Sequence, residues 1–227
     1  MEIRPKKRFV VIVAGGSGKR MDSEIPKQFL EISGKPVLMR TIERFYAFDD
    51  SISIIVVLPL SHISYWEELK EKYSLRIQHK VVSGGPTRYD SVKNGLFHVD
   101  DNSIVAIHDG VRPLVSLDVI GRCFDTAEKF GNAVPVVYPN DSVRVSTDRG
   151  IVAFPRDKIM LVQTPQVFKA GLIKDAYLQE LETEFTDDAS LLEMTGIKIA
   201  VVEGDIRNIK ITTKADLIVA ESYSDDK

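Results

Sequence analysis

The sequence predicts an α/β protein built on a doubly wound, mostly parallel sheet, with a β-hairpin inserted late in the chain. Short, nearly continuous apolar runs recur at strand length, as in a sheet covered on both faces. Stripes of apolar residues at helical spacing lie between them, and strand–helix alternation of this kind builds parallel sheets. A single stretch, residues 139–163, breaks the alternation.

The strand runs are residues 9–13, 52–58, 78–82, 104–107, 133–137 and 198–202. Pro36 stands where a first helical residue belongs, since its fixed φ suits that position. Val37, Leu38, Thr41, Ile42 and Phe45 follow it at helical spacing. Val92, Leu96 and Val99 make a second stripe, and Val119, Ile120, Phe124, Ala127 and Phe130 a third. Residues 139–163 read "PNDSVRVSTDRGIVAFPRDKIMLVQ", with Val143/Val145 alternation, an Asp-Arg-Gly turn and Val152/Phe154 alternation. That is a hairpin signature rather than a crossover helix. An inserted hairpin buries little of its own surface. It is either a plain surface hairpin or an arm that reaches for a partner subunit. The whole chain, 1–227, reads as one domain with 139–163 as the extended arm, and the tail "ESYSDDK" is expected to fray.

Composition narrows the function classes. A net charge of −3 lacks the basic excess of a nucleic-acid binder. The single cysteine, Cys123, cannot form an intrachain disulfide, which fits a reducing cytosol. Lys6-Lys7-Arg8 is followed by only five apolar residues, too few for a secretory signal. The apolar run 52–60 is too short and interrupted to span a bilayer. The expectation is a cytoplasmic protein with neither a nucleic-acid nor a membrane partner.

"FVVIVAGGSGKR" (residues 9–20) delivers a glycine loop to the carboxyl edge of the sheet, where ligands of open α/β sheets bind. Glycines let backbone N–H groups approach a polyphosphate. Two common motifs fail here. A Walker A loop needs glycine at Val13 and Ser or Thr at Arg20; a dinucleotide fingerprint needs glycine at Met21. Lys27, in "PKQFL", adds a third cation after Lys19 and Arg20, and chemistry on a triphosphate needs fixed cations where charge builds. Of the three, Lys19 best fits a solvated surface charge. "SGGPTRYDS" (residues 83–91) is a second glycine-rich loop, carrying Gly85, Arg88 and Ser91. "IHDGVRP" (residues 107–113) places Asp109 just past a strand, a natural Mg²⁺ ligand beside phosphates, with Arg112 close behind. His108 reads as structural. In "TDDAS", Asp187 and Asp188 read as residues of a helix N-terminus. Lys210, between Ile209 and Ile211, reads as a cation turned opposite its apolar neighbours on a short strand.

"AGGSGKRM…PKQFL", "GGPTRYDSV", "HDGVRP", "QTPQVF", "TDDAS" and "NIKITT" occur in one order across nearly the whole chain. Together they resemble the 2-C-methyl-D-erythritol 4-phosphate cytidylyltransferases of the non-mevalonate isoprenoid pathway. "HDxVRP" is also similar to the sister family of ribitol-5-phosphate cytidylyltransferases, while "TDDAS" and "NIKITT" lean to the first. The resemblance implies a Rossmann-like nucleotidyltransferase fold and a homodimer built through the hairpin arm. It implies that Ala14, Gly15, Gly16, Gly18, Lys19, Arg20 and Lys27 hold the CTP phosphates, with Arg20 and Lys27 stabilising the transition state. Gly85, Arg88, Ser91 and Gly110 would surround the cytidine, and Asp109 would bind Mg²⁺. The sugar-alcohol phosphate would meet Asp109, Arg112, Thr186 and Lys210, with Ser142 and Arg156 supplied by the other subunit's arm. The chain departs from the family at Gly110-Val111, where two alanines are commoner, and at Ser142, where Thr is commoner.

Overall fold

The computed structural model describes residues 6–16, 25–179 and 187–224. Strand β1 (Arg8–Val13) lies at the centre of the sheet because its middle residues are apolar on both faces. Val10 and Ile12 pack into one layer of the core, Phe9 and Val11 into the other. The chain then forms a small hairpin, β2 (Glu31–Ile32) and β3 (Lys35–Pro36), turning at Ser33-Gly34. Both turn residues have positive φ, and Gly34 meets nothing within 4 Å.

Helix α1 (Val37–Phe48) follows at once. Pro36 is the residue before it rather than its first residue: its ψ of 137° keeps it extended and paired with Glu31. Next come β4 (Ser53–Leu58), α2 (Ile63–Lys72), β5 (Lys80–Ser83), α3 (Arg88–Leu96), β6 (Ile104–Asp109), α4 (Leu117–Phe130) and β7 (Asn132–Val137). β4 and β6 flank β1 in parallel, and β5 extends the sheet beyond β4. Side chains of α1, α2 and α4 fill one layer, and those of α3 the other. Val99, the last of the second predicted stripe, lies past the end of α3 but stays buried.

The inserted hairpin is present as β8 (Val143–Thr147) and β9 (Gly150–Phe154), a two-stranded sheet of its own. The chain rejoins the main sheet earlier than the 139–163 stretch ends. β10 (Leu161–Val162) and β11 (Gln166–Lys169) run antiparallel along β7, with a cis Thr164–Pro165 bond between them. β11 also pairs with β6, so an antiparallel strand separates two parallel ones. Helices α5 (Ala170–Leu178) and α6 (Asp188–Glu193) join the layer of α3. β12 (Val201–Glu203) pairs in parallel with β7. It is shorter than the predicted run 198–202. The Asn132 amide takes the Lys198 carbonyl and the Ala200 N–H, replacing ladder bonds there. Helix α7 (Lys214–Ser224) closes a small apolar cluster with Ile32, Val37, Val111 and Ile211. Among the described residues, no helix is long and apolar enough to cross a membrane.

Candidate active site

The carboxyl ends of β1, β5 and β6 open onto one cleft, a cavity of about 240 Å³. The loop Ala14–Gly16 forms one wall, and residues 84–88 form another. Lys27 enters over the first loop: a side chain at Gly16 would come within 3.1 Å of Lys27 Cε. Absence of a side chain therefore lets the cation lie directly against the backbone.

The second loop is held by a capping box at the start of α3. Thr87 Oγ1 accepts from the Asp90 amide, and Asp90 accepts from the Thr87 amide. Gly85 is required by this fold-back, since a Cβ there would lie 2.2 Å from Asp90 Cβ. Ser91 Oγ accepts from the Gly85 amide at 3.2 Å and donates to the Thr87 carbonyl at 2.8 Å. Its hydroxyl thus shapes the loop that it lines. Gly110 is behind the cleft rather than in its lining. Its amide donates to the Val13 carbonyl, and a Cβ would lie 2.8 Å from Ala14 Cβ. It lets the first loop seat against the end of β6.

Asp109 is the anion at the base of the cleft, only 7% exposed. Lys210 Nζ lies 3.1 Å and Arg112 Nε 3.2 Å from its Oδ2, and Arg88 Nε lies 4.0 Å from its Oδ1. Burial alone would push its pKa up; Lys210, Arg88 and Arg112 outweigh burial and hold the carboxyl well below the usual range. Lys210 reaches it from an extended segment rather than an assigned strand. The Ile211 amide ties that segment to the Val111 carbonyl at 2.9 Å. Ile209 and Ile211 turn into the small apolar cluster, so the alternation expected at Lys210 holds.

Arg112 is buried and spends Nη1 on the Asn208 carbonyl, 2.7 Å away. Asn208 is in turn bonded to the Thr164 carbonyl at 2.8 Å and to Gln163 Oε1 at 3.3 Å. Thus "QTPQVF" and "NIKITT" support Asp109 from behind. His108 is fully buried and stands edge-on to Phe45; its Nε2 faces the Arg112 carbonyl at 3.1 Å, so that nitrogen carries the proton. Burial pushes its pKa down to about 4, in keeping with a structural residue.

Arg88 lines the cleft with its guanidinium held by a buried carboxylate. Its two Nη atoms donate to the two carboxylate oxygens of Asp188, at 2.8 and 2.6 Å. Asp188 has no exposed surface and also accepts from the Tyr177 hydroxyl at 2.6 Å. Asp187 alone is the cap of α6, accepting from the Ser190 amide. Both aspartates stand at the start of α6 as expected, Asp187 as its cap and Asp188 as its first residue; what the reading did not include is the bidentate pairing of Asp188 with Arg88. The pattern available was two adjacent carboxylates, of which a helix start can use only one as its cap.

The cleft gathers Ala14, Gly15, Gly16, Lys27, Gly85, Arg88, Ser91, Asp109 and Lys210. Gly18, Lys19, Arg20 and Thr186 fall outside the described residues. Ser142 and Arg156 are exposed at the base of the hairpin and do not line the cleft. Among the described residues, no group of three or more His, Cys, Asp or Glu side chains clusters as a metal site. Asp109 is the carboxylate among the described residues that line the cleft, and a Mg²⁺ held there would take its other ligands from phosphate oxygens and water.

The family described as 2-C-methyl-D-erythritol 4-phosphate cytidylyltransferase matches residues 9–226. Proteins of that description from Phocaeicola vulgatus and Clostridium perfringens are 51% and 42% identical, over 94% of this chain in each case and over 98% and 96% of theirs. The crystal structure of 4-diphosphocytidyl-2C-methyl-D-erythritol synthase from Anaerococcus prevotii superposes with a TM-score of 0.84 at 31% identity, covering 96% of both chains.

Proposed function

The chain belongs to the 2-C-methyl-D-erythritol 4-phosphate cytidylyltransferase family, and from that premise we propose how its cleft works. The enzyme transfers CMP from CTP to 2-C-methyl-D-erythritol 4-phosphate, releasing pyrophosphate and 4-diphosphocytidyl-2-C-methyl-D-erythritol. An oxygen of the sugar phosphate attacks the α-phosphorus of CTP, and the bond from that phosphorus to the β-phosphate oxygen breaks. No covalent enzyme intermediate is required. Catalysis is positioning together with charge stabilisation.

Ala14–Gly16 and Lys27 hold the triphosphate, with Arg20 as the second transition-state cation. Residues 84–88 and Ser91 form the wall for the nucleoside. Asp109, Arg112, Lys210 and Thr186 receive the sugar phosphate. Asp109 also holds Mg²⁺, which when bound neutralises charge on the phosphates. Ser142 and Arg156 act from the arm of a second subunit in a homodimer, and the protein works in the cytoplasm. The observation that carries this reading is the convergence of Lys27, Asp109 and Lys210 on one cleft between two glycine loops, with Arg112 bonded to Asp109 from behind.

The test is pyrophosphate release by purified protein. CTP, Mg²⁺ and 2-C-methyl-D-erythritol 4-phosphate together should give turnover, and omitting any of them should abolish it. Faster turnover with ribitol 5-phosphate would assign the protein to the sister activity instead.

A further inference from the structure

The Arg88–Asp188 pair joins the cleft wall to the protein interior. The Arg88 side chain is 36% exposed, and its partner carboxylate is fully buried. Holding a helix start does not require this, because Asp187 already caps α6. A buried ion pair is also weak evidence of stabilisation, since two well-packed apolar side chains often do as well. What such a pair does supply is fixed geometry.

The carboxylate is fixed from several sides. Tyr177 donates to it, and the Tyr177 ring stacks on Tyr89 with centroids 4.8 Å apart. The start of α6 is locked to β11 by the buried Gln166. Its Oε1 accepts from the Ala189 amide and its Nε2 donates to Asp187 Oδ2, both at 2.8 Å. β11 lies beside β6, the strand that ends in Asp109. Asp188 is thus referenced to the strands of the active site rather than to a surface loop.

With both Nη atoms on Asp188, Arg88 turns its Nε edge toward Asp109, 4.0 Å away. We propose that Asp188 is a positioning residue for CTP. It holds the Arg88 guanidinium by both Nη atoms so that the nucleotide meets a preformed wall beside Asp109. It also neutralises Arg88, which leaves the triphosphate charge to Lys27 and its neighbours. Among the described residues, Asp109 is the other carboxylate paired with Arg88, and without Asp188 the guanidinium would be drawn onto it and away from the wall. The inference rests on the cytidylyl-transfer reading of the cleft.

Asp188→Asn tests it, because the amide nearly preserves shape but offers one acceptor where two are needed. KM for CTP should rise about tenfold, the scale of one well-aligned hydrogen bond to a charged group. KM for the sugar phosphate and kcat should move less. In an Arg88→Met background, Asp188→Asn should change KM for CTP no further, because Asp188 acts through Arg88. If Asp188→Asn fails to fold, Arg88→Met/Asp188→Asn carries the test, since it leaves neither charge of the pair without its partner. Its KM for CTP should then match that of Arg88→Met alone. An unchanged KM in folded Asp188→Asn, or effects of the two substitutions that multiply, would overturn the inference. Wild-type protein inert with CTP would overturn the functional reading itself, and this inference with it; wild-type turnover alongside an unchanged KM overturns this inference alone.

Discussion

At the scale of single residues, the most informative side chain is His108, which performs no chemistry. Its ordinary pKa is 6.5, and burial lowers it to about 4 in the folded chain. Above pH 6.5 both folded and unfolded chains carry it neutral, so it contributes no pH dependence. Between 6.5 and 4 the unfolded chain binds a proton that the folded one refuses, and stability falls as pH falls. The full loss is on the order of 3 kcal/mol, at 1.36 kcal/mol per pKa unit. Asp109 acts in a lower window. Its folded pKa lies below the ordinary 3.8, so its contribution is lost only in stronger acid. Urea midpoints measured from pH 7 to 4.5 should therefore drop in wild type, and His108→Gln should flatten that slope. An equal slope in both proteins would remove His108 as its cause. The same residue shows what was legible beforehand. His108 read as structural because a lone His is more often a satisfied loop residue than a catalyst, though the structure places it inside β6; Asp109 stood out by following a buried apolar run. Asp188 did not, because its partner Arg88 lies a hundred positions away in the chain and no local pattern marks a bidentate acceptor.

At the scale of elements, the parallel strands were legible because burial on both faces writes them as apolar runs, and helices α1, α3 and α4 because their buried faces write stripes; α2, which buries only Trp66 and Leu69, was not. Nor was β11. Its four residues, Gln166–Lys169, are too few to set a period, and its antiparallel direction comes from where the arm returns the chain. The arm itself was legible as a hairpin, and the structure adds what lies on its faces. Val145 stands opposite Val152, and Val143 opposite Phe154, which places these apolar side chains on one face of the ribbon. Val145, Val152 and Phe154 are 36%, 44% and 39% exposed, yet a two-stranded ribbon is marginal alone. The homodimer proposed above would cover that stripe. Val145→Lys with Val152→Glu keeps a favourable cross-strand pair while removing the apolar face. In sedimentation, wild type should run as two chains and the variant as one, with the far-UV spectrum unchanged. A variant that still sediments as a dimer would move the interface elsewhere.

At the scale of the whole molecule, the question is whether one chain makes a complete site. Lys27 lines the cleft, whereas Arg156 lies at the base of the arm beside Tyr138 and Asn140, outside the cleft lining. If the arm serves its partner, each site combines one chain's Lys27 with the other chain's Arg156. Lys27→Ala and Arg156→Ala should each cripple turnover, yet a mixture need not be dead. Random pairing of equal amounts makes about half of the dimers mixed. In a mixed dimer, one site has both substitutions and the other has neither. One of two sites in half of the dimers is intact, so co-refolded protein should recover about a quarter of wild-type activity. That fraction should vary with the mixing ratio and reach its maximum at equal amounts. If each chain builds its own site, both sites of every mixed dimer carry one defect. The mixture then recovers nothing at any ratio, and the arm serves its own chain's site rather than its partner's.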